Sequence, residues 1–178
     1  MTRQLSEQEQ VRRDNLHKIE ELGINPFPSE LYPVTHQASA IKESFTGEEA
    51  EQIDVVLAGR LMMKRIMGKA TFAELEDTSG RIQIYVSRDN ICPGEDKTLY
   101  NTVFKKLLDI GDFIGVKGYI FKTKVGETSI HVSELVLLCK SLKPLPIVKT
   151  DAEGNVHDEV TDPEFRYRQR YVLSLIHI

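Results

Sequence analysis

The sequence predicts an all-β domain with minor α content, in which five short strands close into a small barrel and one helix lies between the third and fourth strands. Two observations support this class. After residue 53, several short segments alternate apolar and polar residues, and turn residues separate them. One segment with helical spacing interrupts this series after the third strand. Five strands interrupted in this way are the plan of an OB-fold Greek-key barrel.

The five strands are predicted in order along residues 53–143. The first, IDVVLAGRLMM, is interrupted by Gly59, which indicates a bend or a bulge. The second and third strands form a hairpin in ATFAELEDTSGRIQIYVS, with its turn at residues 78–80. The last two strands, GDFIGVKGYIFKT and TSIHVSELVLL, are joined by a tight KVGE turn.

Two helices accompany the predicted barrel. An N-terminal helix over residues 6–22 begins with a capping box made by Ser6 and Glu9, and Gly23 ends it. Its apolar positions form only a thin stripe, which consists of Val11, Leu16, Ile19 and Leu22. We therefore expect a largely exposed helix. The second helix, TLYNTVFKKLL, has five apolar positions at helical spacing: Tyr100, Val103, Phe104, Leu107 and Leu108.

Changes in composition divide the chain into successive parts. Residues 1–52 hold the N-terminal helix and, over 29–52, a connection that we expect to be loosely packed. Residues 53–143 form the barrel. Prolines in KPLP then stiffen a linker strap over residues 144–172.

Composition and charge exclude several classes of protein. No apolar run approaches the ~18 residues of a membrane span, and two cysteines without CxxC spacing fit a reducing cytoplasm. No histidine cluster is visible, and the acidic segment after residue 150 lacks the final Glu of a calcium loop, so no metal site is predicted. The chain has a net charge of −4, but residues 53–143 carry 14 basic and 11 acidic side chains. This basic block is a weak indication of a polyanionic partner.

The stretch KRIMGKATF concentrates positive charge around one aromatic ring. In the predicted barrel, KRIMGK is the loop between the first and second strands, and Phe72 lies early on the second strand. OB folds bind single-stranded nucleic acid across strands two and three, where Phe72 can stack on an unpaired base. Three cations can neutralise phosphates there: Lys64, Arg65 and Lys69. The alternative for Phe72 is an ordinary buried core position, and the alternative for the three cations is an ordinary solvated loop. Residue type alone favours both alternatives.

Two polar residues fit the same surface. Gln83 and Tyr85 project to the side opposite the apolar positions of their strand, and the Gln83 amide offers both a donor and an acceptor to a base edge. Glu127 lies at the tip of the last hairpin. A carboxylate repels phosphates, but it can accept the N3–H of uracil, whereas N3 of cytosine is an acceptor. Glu127 therefore predicts a preference for uridine, and the alternative is an ordinary exposed turn glutamate.

Several motifs then resemble one family over most of the chain, from about Arg12 to Val172. The chain resembles the N-terminal anticodon-binding region of bacterial-type lysyl-tRNA synthetases. Four motifs together carry this resemblance: AGR, R-x-M-G-K-A-x-F, K-x-L-x-P-L-P and RYRQRY. The F-x-x-L-x-D motif is also shared with the aspartyl and asparaginyl enzymes.

The resemblance implies that the barrel binds the U-rich anticodon of lysine tRNA. Phe72 would stack on the central anticodon uridine. Three polar side chains would hydrogen-bond to anticodon bases: Arg65, Gln83 and Glu127. Three cations of the N-terminal helix would lie along the anticodon stem: Arg12, Arg13 and Lys18.

Full-length members of this family are cytoplasmic homodimers that activate lysine with ATP and Mg²⁺ and transfer it to tRNA. That chemistry belongs to a class II catalytic domain, so we expect this chain to be a fragment that binds tRNA without catalytic residues or a cofactor of its own. Residues 173–178, LSLIHI, match no family residue and are expected to be a foreign tail. Two other hypotheses are a stand-alone single-strand-binding OB protein and a fragment of an aspartyl- or asparaginyl-type ligase.

Overall fold

The computed structural model describes residues 5–45, 53–144, 149–150, 156–157 and 167. The chain divides into two compact units, Met1–Lys143 and Pro144–Ile178. In the second unit, the two-residue strands Lys149–Thr150 and Val156–His157 pair antiparallel. The predicted tail, most of the predicted strap and most of the acidic segment after residue 150 lie outside the described residues.

A closed five-stranded barrel forms the centre of the first unit. Its strands are β1 (Asp54–Met67), β2 (Ala70–Glu76), β3 (Arg81–Ser87), β4 (Phe113–Lys122) and β5 (Thr128–Cys139). They pair in the order β1-β2-β3-β5-β4, and β4 pairs back to β1. β3 and β5 run parallel, whereas the other neighbours run antiparallel. The predicted OB-fold barrel is confirmed.

The helices of the described part are α1 (Glu7–Glu21), α2 (Ala38–Ser44), α3 (Arg88–Ile91) and α4 (Leu99–Leu107). The sequence predicts α1 and α4, including the capping box at Ser6 and the position of α4 between β3 and β4. It predicts neither α2 nor α3. In the described ranges, no helix combines the length and the apolar character needed to cross a membrane.

Along β2 and β3 every second residue is buried in the barrel, and α4 adds its own apolar face to the core. Tyr100 and Phe104 of α4 are fully buried, and the Tyr100 hydroxyl lies 2.9 Å from the Thr71 hydroxyl of β2. The amide of Leu108 donates to the carbonyl of Val103 at 2.9 Å, a π-helical hydrogen bond that ends α4. Each fully buried large apolar side chain of this kind contributes about 1.5–3 kcal/mol.

The connection between β1 and β2 is shorter than the sequence indicates. We predict a loop over KRIMGK, but β1 continues to Met67, which pairs with Ala70 across a two-residue turn. Gly68 has a φ of +65°, a conformation that favours glycine and permits this tight reversal. Arg65 is consequently a strand residue, and the strand register fixes the face from which it projects.

Polar side chains hold α1 on the barrel, which the thin apolar stripe does not predict. Val11 and Leu22 are 53% and 44% exposed, whereas Arg12 is only 8% exposed. The Arg12 guanidinium donates to the carbonyls of Ile110 at 2.8 Å and Ser141 at 2.9 Å. Most residues of α1 are exposed, as expected, and its narrow buried face is mostly polar and consists of Glu9, Arg12, Asn15 and Ile19.

The connection after α1 is also better packed than the sequence indicates. Ala38 and Ile41 of α2 are buried in the barrel core. The Asp77 carboxylate accepts the N–H of Ala38 at 2.8 Å. Upstream, the Tyr32 ring covers Gly115 so closely that a Cβ at this glycine would lie 2.4 Å from the ring. These contacts attach parts of the connection to the barrel, whereas Leu31 and Val34 within it are 96% and 48% exposed.

A buried ion-pair network joins the start of β4 to the end of β5. The Lys140 ammonium lies 2.5 Å from the Asp109 carboxylate and 2.7 Å from the Asp112 carboxylate, and the side chains of Lys140 and Asp112 are fully buried. Asp112 also accepts the N–H of Ser141 at 2.8 Å, and Asn15 of α1 donates to Asp109 at 3.3 Å. Lys140 therefore compensates two carboxylates and supports the docking of α1.

We expect Lys140→Met to lower the free energy of unfolding by ~3–5 kcal/mol, because it leaves Asp112 buried without its cation. Urea denaturation at neutral pH measures the change. The matched control is Lys117→Met, which removes an exposed 3.1 Å pair with Glu134 and should cost no more than ~1 kcal/mol. Equal losses in the two variants would contradict a structural role for the buried network.

Candidate nucleic-acid interface

A row of outward-facing side chains crosses β1, β2 and β3. In the strand ladders, Arg65 is paired with Phe72, and Phe72 is paired with Tyr85. Directly opposed residues of neighbouring strands lie on the same face of a sheet, so all three side chains project from one face. The residues that alternate with Phe72 and Tyr85 along β2 and β3 are buried, namely Thr71, Ala73, Ile84 and Val86. The face that carries Phe72 and Tyr85 is therefore the outside of the barrel.

Phe72 lies on the outside of the barrel and is partly exposed, so it is not a buried core residue. Its ring centroid is 5.1 Å from that of Tyr85, with 54° between the ring planes. Tyr85 therefore supports the Phe72 ring from the side of β3. A supported, partly exposed ring on an OB-fold surface has the geometry required for stacking on an unpaired base.

Gln83 and Glu127 are in direct contact. Gln83 Nε2 donates to the Glu127 carboxylate at 2.9 Å, and the Ser129 hydroxyl donates to Gln83 Oε1 at 2.9 Å. A carboxylate only accepts hydrogen bonds, so Glu127 determines which end of the Gln83 amide faces it. Ser129, which is fully buried, then holds the other end. The amide is fixed in one orientation on the same face as Phe72.

The strands β5 and β4 continue the row with rings that the sequence alone does not single out. Tyr85 is paired with His131, and His131 is paired with Tyr119. Ring centroids are 5.1 Å apart for Tyr85 and His131, and 4.9 Å apart for His131 and Tyr119. Phe121 lies edge-on to His131 at 5.9 Å. We call these five rings the outer aromatic row: Phe72, Tyr85, His131, Tyr119 and Phe121.

His131 contributes to this row as an uncharged ring. Burial lowers the pKa of His131, and a backbone hydrogen bond only partly opposes this effect. The usual histidine pKa is ~6.5, so the imidazole is neutral at neutral pH. The side-chain nitrogen of Asn90 lies 3.3 Å from both imidazole nitrogens. His131 therefore adds an uncharged aromatic ring to the row.

The three cations of KRIMGK have different environments. Arg65 and Lys69 are exposed, Arg65 next to Phe72 and Lys69 in the β1–β2 turn. The Lys64 ammonium instead donates to carbonyls at the end of α4, at 2.9 Å to Phe104 and 2.7 Å to Leu108. Burial lowers the pKa of Lys64, and the nearby carboxylates of the Lys140 network oppose this shift. Lys64 therefore caps α4 and serves the fold.

The cations predicted to contact an anticodon stem also differ. Arg12 is buried and uses its guanidinium to dock α1. Arg13 is partly exposed and donates to the carbonyl of Glu9 at 3.1 Å. Lys18 is exposed in the last turn of α1. The Arg12 guanidinium therefore stabilises the packing of α1 on the barrel, whereas Lys18 projects into solvent.

Comparisons with known proteins agree with the OB fold described above. Residues 55–138 match the tRNA anticodon family, described as an OB-fold nucleic acid binding domain. The chain is 61% identical over 168 residues to a lysine–tRNA ligase of Christiangramia forsetii, which covers 94% of this chain and 29% of that protein. It is 58% identical over 170 residues to a lysine–tRNA ligase of Porphyromonas gingivalis, with 95% and 29% covered.

A lysine–tRNA ligase of Azobacteroides pseudotrichonymphae is 54% identical over 168 residues, with 94% of this chain and 33% of that protein covered. The chain thus spans about a third or less of the length of these curated relatives. The resemblance to lysyl-tRNA synthetases is confirmed. Residues 55–138 thus match an OB-fold domain of the tRNA anticodon family, within a sequence that is similar to part of lysine–tRNA ligases over nearly its whole length.

Proposed function

We propose that the outer face of the barrel binds the unpaired anticodon bases of lysine tRNA. The observation that carries this proposal is the arrangement of Arg65, Phe72 and Tyr85 in one cross-strand row beside the bonded pair of Gln83 and Glu127. A stacking ring, an oriented amide and a carboxylate acceptor are the groups needed to bind a pyrimidine and to identify its edge.

Stacking on Phe72 supplies affinity in this proposal. Base–aromatic stacking is worth ~1–3 kcal/mol per base, and it does not distinguish strongly between bases. Tyr85 holds the Phe72 ring in place before RNA arrives, with 5.1 Å between the ring centroids. Arg65, on the opposite side of Phe72, can lie on a base plane or contact the backbone.

The pair of Gln83 and Glu127 supplies specificity. Glu127 is exposed and its carboxylate retains acceptor capacity beyond the hydrogen bond from Gln83. A uracil can donate its N3–H to this carboxylate, whereas cytosine would bring a second acceptor to the same place. The arrangement therefore favours uridine over cytidine, which fits the U-rich anticodon of lysine tRNA.

The proposal includes fewer cations in contact with the RNA backbone than the sequence predicts. Arg65 and Lys69 are the exposed cations beside Phe72, and Lys18 and Arg13 on α1 are the cations proposed for the anticodon stem. Lys64 and Arg12 are left out because carbonyl oxygens of the fold occupy their donors.

For the parent protein, we propose a cytoplasmic, homodimeric lysine–tRNA ligase that activates lysine with ATP and Mg²⁺. Relatives bearing that activity as their name match this chain over about 29% of their length. Within the described ranges, no group of three His, Cys, Asp or Glu side chains is placed to hold a metal ion. The proposal places the use of ATP and Mg²⁺ in the part of the parent that this chain does not match, and gives this chain the binding of tRNA.

We expect Phe72→Ala to weaken binding of the lysine anticodon stem-loop by ~1–3 kcal/mol, because one stacked base loses its support. Isothermal titration at fixed salt measures the affinity, and Phe72→Tyr is the control that keeps a ring. Wild-type protein should bind a stem-loop with a central cytidine more weakly than one with a central uridine. A stand-alone single-strand binder would be indifferent to this base, with affinity set by salt alone.

We expect Glu127→Gln to reduce discrimination against cytidine while leaving uridine binding nearly intact, because an amide can donate to N3 of cytosine as well as accept from uracil. The measurement is the ratio of dissociation constants for the two stem-loops. Glu134→Gln is the matched control, since Glu134 is an exposed carboxylate on the same hairpin and changes the net charge equally. If both variants discriminate like the wild type, Glu127 does not contact the base.

A further inference from the structure

We propose that Met63 and Met67 form a reversible oxidation site, at which conversion of their thioethers to sulfoxides by hydrogen peroxide lowers the affinity of the barrel for RNA. This inference rests on the proposed function and adds a means of regulating it. The oxidised side chains act through Arg65, which lies between them on β1.

The methionines of the chain are concentrated on β1. The chain has four methionines, and three of them lie within residues 62–67: Met62, Met63 and Met67. Met63 and Met67 are 47% and 46% exposed, which leaves both residues accessible to a small oxidant in solution. Oxidation of methionine to the sulfoxide is a common modification, and methionine sulfoxide reductases reverse it.

Strand alternation places both methionines beside Arg65 on the outer face of the barrel. Arg65 is paired with Phe72, and Met63 and Met67 precede and follow Arg65 by two residues on the same strand. Residues two apart on a strand share a face and lie about 6.5–7 Å apart. This spacing is short enough for the long side chains of methionine and arginine to touch, so a change at either sulfur reaches the guanidinium.

The arrangement differs from an apolar docking surface. Ile66, which is 42% exposed, is paired with the buried Thr71 and therefore projects to the opposite side of β1. A charged side chain separates the two methionines, so they do not form a continuous apolar patch with each other. Single exposed apolar side chains are ordinary on protein surfaces, and the distinguishing feature here is thioether chemistry on both sides of one cation.

Oxidation changes the hydrogen-bonding capacity of the methionines. The sulfur lone pair attacks one oxygen of hydrogen peroxide, so that an S–O bond forms, the O–O bond breaks and the other oxygen leaves as water. The sulfur is oxidised and the peroxide is reduced. In the reverse step the reductase oxidises two thiols to a disulfide and releases the oxygen as water. A thioether is only a weak acceptor, whereas the sulfoxide is polar.

Arg65 is available to the new acceptor. Its side chain makes no hydrogen bond or ion pair with the residues that the structure describes. The Lys64 ammonium, in contrast, donates to carbonyls at the end of α4. A sulfoxide oxygen on Met63 or Met67 can accept from the guanidinium N–H groups. Arg65 is then held on β1, and RNA must displace this hydrogen bond before the guanidinium reaches a base plane or a phosphate.

The test compares the untreated and the peroxide-treated chain in binding to a lysine anticodon stem-loop. Peroxide is removed before RNA is added, and dithiothreitol then reduces the reversibly oxidised forms of the two free cysteines, Cys92 and Cys139, but not the sulfoxides. Peptide mass spectrometry locates each added oxygen, and circular dichroism establishes that the oxidised protein is folded.

Three variants accompany the wild type. The double variant Met63→Leu, Met67→Leu replaces both thioethers with side chains of similar volume. Met62→Leu is the matched control, because Met62 is a partly buried methionine at the bulge of β1 and is paired with no residue of β2. Arg65→Ala removes the group through which the sulfoxides act.

We expect peroxide to weaken binding by the wild type roughly 2- to 10-fold, the loss of one hydrogen-bonded contact at an exposed site. Methionine sulfoxide reductase should restore the affinity. The double leucine variant should bind like the untreated wild type before and after peroxide, whereas Met62→Leu should lose affinity as the wild type does. Arg65→Ala should bind more weakly from the start and lose no more when it is oxidised.

Several results would overturn the oxidation site. Resistance of both methionines to peroxide, or sulfoxides at both with unchanged affinity, would leave the proposed function intact and remove its regulation. An equal loss in the double leucine variant, or an equal further loss in Arg65→Ala, would assign the effect to other residues. Unfolding of the oxidised wild type would assign it to the fold. Failure of the untreated wild type to bind would remove the proposed function itself.

Discussion

The strand register of the closed barrel is the constraint on which the candidate site depends. Arg65, Phe72 and Tyr85 share one face only because β1, β2 and β3 are paired at those residues. A slip of one residue would turn Phe72 into the core and expose Ala73. The register is fixed by two tight turns, the Gly68 reversal and the turn in which Asp77 accepts the amides of Ser79 and Gly80, and by closure of β1 onto β4. The arrangement of side chains on the outer face therefore follows from packing on the inside.

Hydrogen bonds within the fold occupy two of the cations that the sequence predicts for the interface, Lys64 and Arg12. Lys64 and Arg65 are adjacent in sequence but project to opposite sides of β1. The Lys64 ammonium donates to carbonyls at the end of α4, which have no partner within the helix. Arg65 stays on the outer face. The same division separates Arg12, which docks α1, from Lys18. The basic surface available to a polyanion is therefore smaller than the charge count of residues 53–143 indicates.

The sequence pattern predicts the features of the fold that depend on residues close together in the chain. Period-two alternation and turn residues predict the five strands, and the capping box predicts the start of α1. The outward positions of Gln83 and Tyr85 follow from alternation too. Long-range pairing is not visible in the same way. The parallel neighbours β3 and β5 bring His131 beside Tyr85, and the polar network of Lys140 and Arg12 replaces an apolar stripe. These features depend on residues far apart in the chain, so no window of sequence contains them.

The bonded pair of Gln83 and Glu127 would allow an acid to take part in the proposed RNA surface. An isolated carboxylate would repel the backbone and remain flexible at a hairpin tip. Here Ser129 and Gln83 form a relay that holds the carboxylate and the amide in place before binding, so little side-chain freedom is lost when a base arrives. Repulsion of phosphate is then offset only by a ligand that donates to the acid. In the proposed function, stacking would supply affinity for any base, and the hydrogen-bonded pair of Gln83 and Glu127 would restrict it to bases that carry the matching hydrogen.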